Sequence, residues 1–398
     1  MRTIQITIAG ALLSSLAACM TPATDAVLER DLAAAAEALQ GATVLDVDLF
    51  QPTITIGEKC DEQKLPASEA AMSTDLAAAI AQADSYSNAQ KGVGLVILKD
   101  GKILHESYAG DAGAATSTDS YSMHKSVLAL VYGIAIAEGI IGSLDDRAGQ
   151  YISEWKDDPR GQITLRQLLH MESGLKLYSF ADAGERLREL LFAADINAVA
   201  LDYPLADAPG AEFRYNNVNS QVAGIALQRA LQANGYDSYA GYLEQKLWCP
   251  VGNDTARLWL DREGGAPHYY SGLFTNPHNW ARIGELIRNQ GRLHGKQIVP
   301  AEWIKAMAQS APTNPNYGLH VWRGSPYVAK RRYSQQNPLA VTHGAPYLAE
   351  DVLFFDGFGG QRVYVVPSSG LTIVRTGQVN FDYDDAKIVN LILDGLSR

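Results

Sequence analysis

The chain has 398 residues, with 44 acidic against 33 basic side chains and a formal charge of -11. That length can bury a large core, either as two or three domain-sized units or as one enlarged α/β unit. The negative balance repels phosphate backbones and no Lys/Arg cluster interrupts it, which argues against nucleic acid as a partner.

Met1-Arg2 supplies one positive charge, and Thr3 to Leu13 form an apolar run too short to span a bilayer, the pattern of an export signal. The run closes on Leu16-Ala17-Ala18-Cys19, which resembles the lipobox of bacterial lipoproteins. That resemblance implies removal of residues 1–18, acylation of the Cys19 thiol, and an exported protein held by its lipid at a membrane, facing the periplasm. A plain secretory signal with a chance cysteine is the alternative. Cys60 and Cys249 remain; an oxidising compartment would let them pair, and two separate buried thiols is an equal reading.

Residues 19–70 read as a tether and N-terminal extension, and residues 71–398 as the main body, opening with a helical pattern from Thr74 to about Tyr86. Val93 to Leu98 and Ile103 to Tyr108 are β-branched apolar runs joined by Asp100-Gly101, a hairpin signal. From Ser122 to Gly139 the pattern is apolar on nearly every side, as expected of a core helix. Thr164 offers an N-cap for Leu165 to His170, Gly174 a stop, and helical stretches run on to about Leu247. Strand signals return at Tyr317 to Trp322, Val352 to Phe355, Arg362 to Val366 and Leu371 to Arg375, before a final helix from Asp384 to Leu393. Hairpin strands at both ends and a helical centre predict an α/β (α+β) fold: an antiparallel sheet flanked by helices, with a mostly helical insertion at about residues 127–250.

Ser122-Met123-His124-Lys125 places a hydroxyl and an amine three positions apart, neighbours on one helical face. Serine is a weak nucleophile, and a lysine in apolar surroundings loses its proton easily enough to activate it. The first turn of the helix also offers free N–H groups to a developing oxyanion. Ser153-Glu154-Trp155-Lys156 and Ser173-Gly174-Leu175-Lys176 share the spacing, but only Ser122 opens a long buried helix. Local context alone still leaves Ser122 readable as an N-cap serine with a surface lysine. His124, two positions after Ser122, faces another side and reads as structural. None of the 8 histidines forms a His-x-His or His-Glu-x-x-His pair, so no metal site is expected.

Ser122 to Lys125, followed by Leu144-Asp145-Asp146 and by the run Ile163 to Leu175 with its Thr164-Leu165, Leu168-Leu169 and Ser173-Gly174-Leu175, resembles the class C β-lactamase-related superfamily of penicillin-recognising serine hydrolases. Leu247 to Gly252 and Tyr317-Gly318 extend the resemblance over roughly Val93 to Arg398. It implies a β-lactamase-like fold and an acyl-enzyme on Ser122. Tyr215-Asn216-Asn217 matches the family's Tyr-x-Asn motif, which makes Tyr215 a partner of Lys125 in moving protons, with a phenol able to ionise near neutral pH; without the family order it reads as a core tyrosine. Asn217 would hold the lysine and the substrate through its amide. Tyr86-Ser87-Asn88 matches by coincidence.

The third motif, normally a cation, a hydroxyl and a glycine on a strand edging the site, falls at Phe355-Asp356-Gly357, before Phe358-Gly359-Gly360-Gln361. By analogy Gly357 lets substrate approach, and the Phe358 and Ser122 N–H groups form an oxyanion hole. The cation that would take a carboxylate is missing. Arg362 is one candidate replacement and no more, and Asp356, if it faces the site, should repel anions. The Gly-x-Gly-Gly-Gln ending is similar to the esterase and 6-aminohexanoate-dimer hydrolase branches. The implied function is hydrolysis of a small-molecule ester or amide without a cofactor. The alternatives are a true β-lactamase or D-alanyl-D-alanine carboxypeptidase, and a non-catalytic binding lipoprotein that keeps the fold.

The lipobox generates a direct test. Cys19→Ser should move the protein out of the membrane fraction, and an unmodified N-terminus in the intact mass of the wild type would overturn lipidation.

Overall fold

A computed structural model describes residues 37, 39–178, 184–335 and 339–398 of the chain. The signal segment, Cys19 and most of the helical stretch expected before Asp46 lie outside the described residues. A six-stranded sheet organises the fold: β1 (Gly92–Lys99), β2 (Lys102–Tyr108), β3 (Trp322–Arg323), β4 (Leu353–Gly357), β5 (Gln361–Val366) and β6 (Leu371–Gly377), in the order β2-β1-β6-β5-β4-β3. Every neighbouring pair is antiparallel. Asp100 and Gly101 take φ of 51° and 78°, the left-handed pair that a tight β1–β2 hairpin needs.

Five helices position the site: α1 (Thr74–Ala89), α2 (His124–Ala137), α3 (Asn217–Ala233), α4 (Pro277–Arg288) and α5 (Lys387–Ser397). On one face of the sheet, Leu76, Ile80 and Ala83 of α1 and Ile388, Val389 and Ile392 of α5 pack with Leu95, Ile97 and Ile373. On the other, Trp280, Ile283 and Ile287 of α4 pack with Val96, Val363 and Val374. With both faces covered, the inner strands are buried along nearly their whole length instead of alternating. Helix α2 is buried from His124 to Ala135, as its sequence predicts. Gly133 is required there: a Cβ would stand 2.3 Å from the Trp303 ring.

Two expectations are corrected. The strand expected from Tyr317 shrinks to Trp322–Arg323, because Gly318 N–H turns back to the Val321 carbonyl (2.8 Å) and His320 is left-handed at φ 52°. Part of the expected N-terminal extension joins the fold. Thr53–Ile56 pairs with Ala256–Trp259 in a second, four-stranded sheet that also holds Leu273–Thr275 and Thr118–Asp119. Cys60 and Cys249 form a disulfide, and the adjacent Gly57 N–H donates to Glu244 Oε1 at 2.8 Å.

The disulfide closes a span of 189 positions that contains α2 and α3. A cross-link of this kind removes freedom chiefly from the unfolded chain. Cys249→Ala should therefore lower unfolding stability by about 2–4 kcal/mol in urea titrations. An unchanged midpoint would show that the bond contributes nothing.

Candidate active site

The strand Thr118–Asp119 delivers the chain to a single tight helical turn, Tyr121–Met123, from which α2 continues. Asp119 Oδ1 accepts the Tyr121 N–H at 2.8 Å, and Tyr121 sits at φ 45°, a left-handed conformation rare for a bulky residue. Ser122 follows, opening on a cavity of about 420 Å³. One turn further, Lys125 is 1 % exposed. Its Nζ lies 2.8 Å from Ser122 Oγ, 2.9 Å from Asn217 Oδ1 and 2.9 Å from the Tyr270 carbonyl oxygen.

Burial pushes the Lys125 amine well below the ordinary lysine range, and the negative charge of Asp356 only partly opposes this. A neutral amine has two N–H groups and one lone pair. Two carbonyl oxygens take the N–H groups, and the lone pair is left for the Ser122 hydroxyl. The arrangement can therefore abstract the serine proton.

Tyr215 precedes α3, whose N-cap Asn216 accepts the Val218 N–H and donates Nδ2 to the Lys176 carbonyl at 3.0 Å. The Tyr215 ring stacks on Trp322 and packs on Tyr333, with centroids 5.6 and 5.2 Å apart, and its phenol interacts with the Ser122 hydroxyl. Burial first, and then Asp356, push the phenol well above its ordinary value. This corrects the expectation that it ionises near neutral pH: the resting phenol keeps its proton and is placed to donate it.

Neither rival serine has such partners. Ser153 Oγ donates to its neighbour Glu154, and buried Ser173 accepts the Leu175 N–H at 3.1 Å. His124 is structural as expected: burial lowers it to about 4, its Nδ1 meets the Ser271 carbonyl at 2.8 Å and its Nε2 the Tyr239 hydroxyl at 3.1 Å. Tyr86 lies on α1, its hydroxyl accepting the Asp384 N–H at 2.7 Å.

Strand β4 passes so close to the nucleophile turn that a Cβ on Gly357 would stand 2.4 Å from the Ser120 carbonyl oxygen. The next residue, Phe358, sets its ring edge-on to Tyr121 with centroids 5.8 Å apart. Among the described residues, neither the Ser122 nor the Phe358 N–H donates to a backbone acceptor, so both are available to an oxyanion.

Phe355, standing where the family carries its cation, faces away from the cavity onto Trp280 of α4. Asp356 does line the cavity, but it is 4 % exposed and held by Arg331 Nη1 at 2.7 Å, Arg362 Nη1 at 2.6 Å and the Tyr333 hydroxyl at 3.0 Å. Both arginines also bind Asp385, at 2.9 and 2.8 Å, closing a ring of two cations and two anions. This corrects two expectations. The Asp356 charge is compensated and does not stand bare against anions, and Arg362 is consumed inside the ring and does not replace the missing cation.

Tyr270, Asn216, Tyr333 and Arg331 were absent from the sequence-based set. Asn216 carried a signal, an asparagine just ahead of a helix. Tyr270 acts through its carbonyl, and Arg331 and Tyr333 lie in and just after the strand Lys330–Arg332, which is too short to show a period.

A beta-lactamase family model matches residues 76–392. The chain belongs to this family. Its fold is shared by a structure described as a 6-aminohexanoate-dimer hydrolase from Bacillus anthracis, with TM-score 0.68, 18 % identity, and coverage of 95 % of this chain and 98 % of that one. A family VIII carboxylesterase gives 0.58 at 17 % identity, covering 83 % and 99 %. A penicillin-binding protein homologue from Caulobacter crescentus gives 0.59 at 16 %, covering 81 % and 97 %. These identities establish a common fold and no shared substrate.

Two tests follow from the geometry. A fluorophosphonate probe should label Ser122 alone, and an adduct mapped to Ser153 or Ser173 would refute the assignment. The second concerns Lys125: its protonated form cannot accept the serine proton, so kcat/KM should fall as pH drops through a pKa well below the ordinary lysine value. Lys125→Met should cost roughly 10²- to 10⁴-fold, the usual range for a general base. An acid limb at an unperturbed lysine pKa would contradict a neutral resting amine.

Proposed function

We propose that this beta-lactamase family member is a serine hydrolase that cleaves an ester or amide through an acyl-enzyme on Ser122. The observation that carries the proposal is the buried Lys125 amine, 2.8 Å from Ser122 Oγ and also held by Asn217 Oδ1 and the Tyr270 carbonyl oxygen, each at 2.9 Å. Ser122 attacks the substrate carbonyl as Lys125 takes its proton. The Ser122 and Phe358 N–H groups receive the oxyanion. Tyr215 gives its proton to the leaving group and is reprotonated from Lys125. Water then attacks the acyl-enzyme: its hydroxyl joins the acyl group, which leaves as the acid, and its other proton restores the Ser122 hydroxyl by way of Lys125. Asn217 orients the lysine through Oδ1 and offers its amide N–H groups to the substrate. Gly357 keeps β4 close enough for substrate to lie along the strand. No cofactor is needed. A pre-organised base also argues against a purely binding role.

The proposal extends to an exported protein anchored through Cys19. The Cys60–Cys249 disulfide supports an oxidising compartment.

Esters and linear amides are the proposed substrates, ahead of β-lactams and D-alanyl peptides, because Arg331 and Arg362, the cations next to β4, are both consumed by Asp356 and Asp385. A charge-assisted hydrogen bond to a carboxylate is worth about 1.5–3 kcal/mol, roughly a ten- to hundredfold factor. p-Nitrophenyl butyrate should accordingly exceed a chromogenic cephalosporin in kcat/KM by at least about tenfold. Equal or faster cephalosporin turnover would favour the β-lactamase reading.

A further inference from the structure

The cavity that Ser122 opens on has one apolar stretch of wall, formed by Leu177, Leu187, Leu190 and Tyr203, and a small set of charged groups. Most of these charges are already balanced. Arg214 is bound by Asp207 and by Glu212, and Asp356 is held between Arg331 and Arg362. Lys176 is the exception. It lines the cavity, its side chain is exposed, and among the described residues its ammonium has no carboxylate partner. Its recorded contact is with the face of the Tyr178 ring, 4.7 Å from the centroid.

The backbone beneath Lys176 is fixed while its charge is free. Its N–H donates to the Pro204 carbonyl at 2.9 Å and its carbonyl accepts Asn216 Nδ2 at 3.0 Å, so the residue is tied to the segment that carries Tyr215 and Asn217. A cation on a fixed backbone, without a carboxylate partner among the described residues and beside an apolar wall, calls for a ligand with both characters. During acyl transfer the acyl group stays on Ser122 through both half-reactions, so it is the part of the substrate that this cavity must house longest.

On the reading that Ser122 forms an acyl-enzyme, we propose that the cavity selects acyl chains that are apolar along their length and end in a carboxylate, with Lys176 binding that carboxylate. The substrates are then monoesters or monoamides of medium-length dicarboxylic acids. This charge lies on the loop that follows Gly174, a different element from β4, where the arginines are consumed. A distal carboxylate is therefore accepted although β4 offers no free cation.

The test uses the full folded protein and two six-carbon substrates that differ only at the far end, p-nitrophenyl hexanoate and the mono-p-nitrophenyl ester of adipic acid. The readout is the ratio of their kcat/KM values. The wild type should favour the adipate ester by about threefold or more, the scale of a solvent-exposed ion pair, and added salt should compress the ratio. Lys176→Met should bring the ratio to about one or below, while Lys176→Arg, which keeps the charge, should retain it. An adipate preference that persists in Lys176→Met, or no preference in the wild type, would overturn the assignment of Lys176. Failure of the wild type to hydrolyse either ester would instead overturn the hydrolase reading.

Discussion

Burying the Lys125 amine is the constraint around which the site is built. A lysine at 1 % exposure is costly while charged, and the fold surrounds the amine with three oxygen contacts and lowers its pKa instead of pairing it with a carboxylate at contact distance. Each of its three contacts comes from a different element: Ser122 from its own turn, Asn217 from the first residue of α3, and the Tyr270 carbonyl from the loop before Leu273–Thr275. The helical centre and the second sheet must therefore be in register with α2 before the amine is satisfied. The left-handed Tyr121, held by the Asp119 carboxylate, is the backbone side of the same arrangement, since it sets where Ser122 lies relative to Lys125.

Behind β4 lies the opposite solution to the same problem. Arg331, Asp356, Arg362 and Asp385 are all nearly inaccessible, each bound to two partners of opposite sign, and His343 adds a further contact to Asp385 at 3.2 Å. Removing one member of such a ring leaves a buried charge unpaired, typically at a cost of 3–5 kcal/mol. The ring also reaches the chemistry, because Asp356 raises both the Tyr215 phenol and, against the larger effect of burial, the Lys125 amine. One carboxylate thus favours a protonated tyrosine and sets a limit on how far the lysine falls.

Much of this was legible in the sequence where the signal is local. The Asp100-Gly101 hairpin, the apolar α2, the Thr164 N-cap and the strands around Arg362 and Leu371 form as their patterns predict. Ser122 and Lys125 were readable because a three-residue spacing on a helix fixes proximity. The second sheet was not readable: its strands are two to four residues long, too short for a period, and Thr53–Ile56 pairs with residues about two hundred positions away. Along β4, Leu353, Phe354 and Phe355 are buried on both faces, so no alternation revealed that Asp356 turns to the cavity and Phe355 to α4. The protonation of Tyr215 was out of reach for a related reason, since it depends on burial and on Asp356, a residue far away in the chain.

The Cys60–Cys249 bond also has a mechanical meaning. A pull on the N-terminal end of the chain would first load Val44, whose carbonyl accepts the Asp119 N–H at 2.9 Å, and then Thr53–Ile56, an edge strand that can unzip from Ala256–Trp259 pair by pair. At Cys60 the load would cross the bond to Cys249, at the end of the helical segment Tyr239–Trp248, bypassing the intervening covalent chain. Ser122, Lys125 and Tyr215 all lie in that bypassed span. Tension at the N-terminus would therefore reach the turn that carries Ser122 through the Val44–Asp119 hydrogen bond, and once that bond and the edge strand have parted the load would run past it.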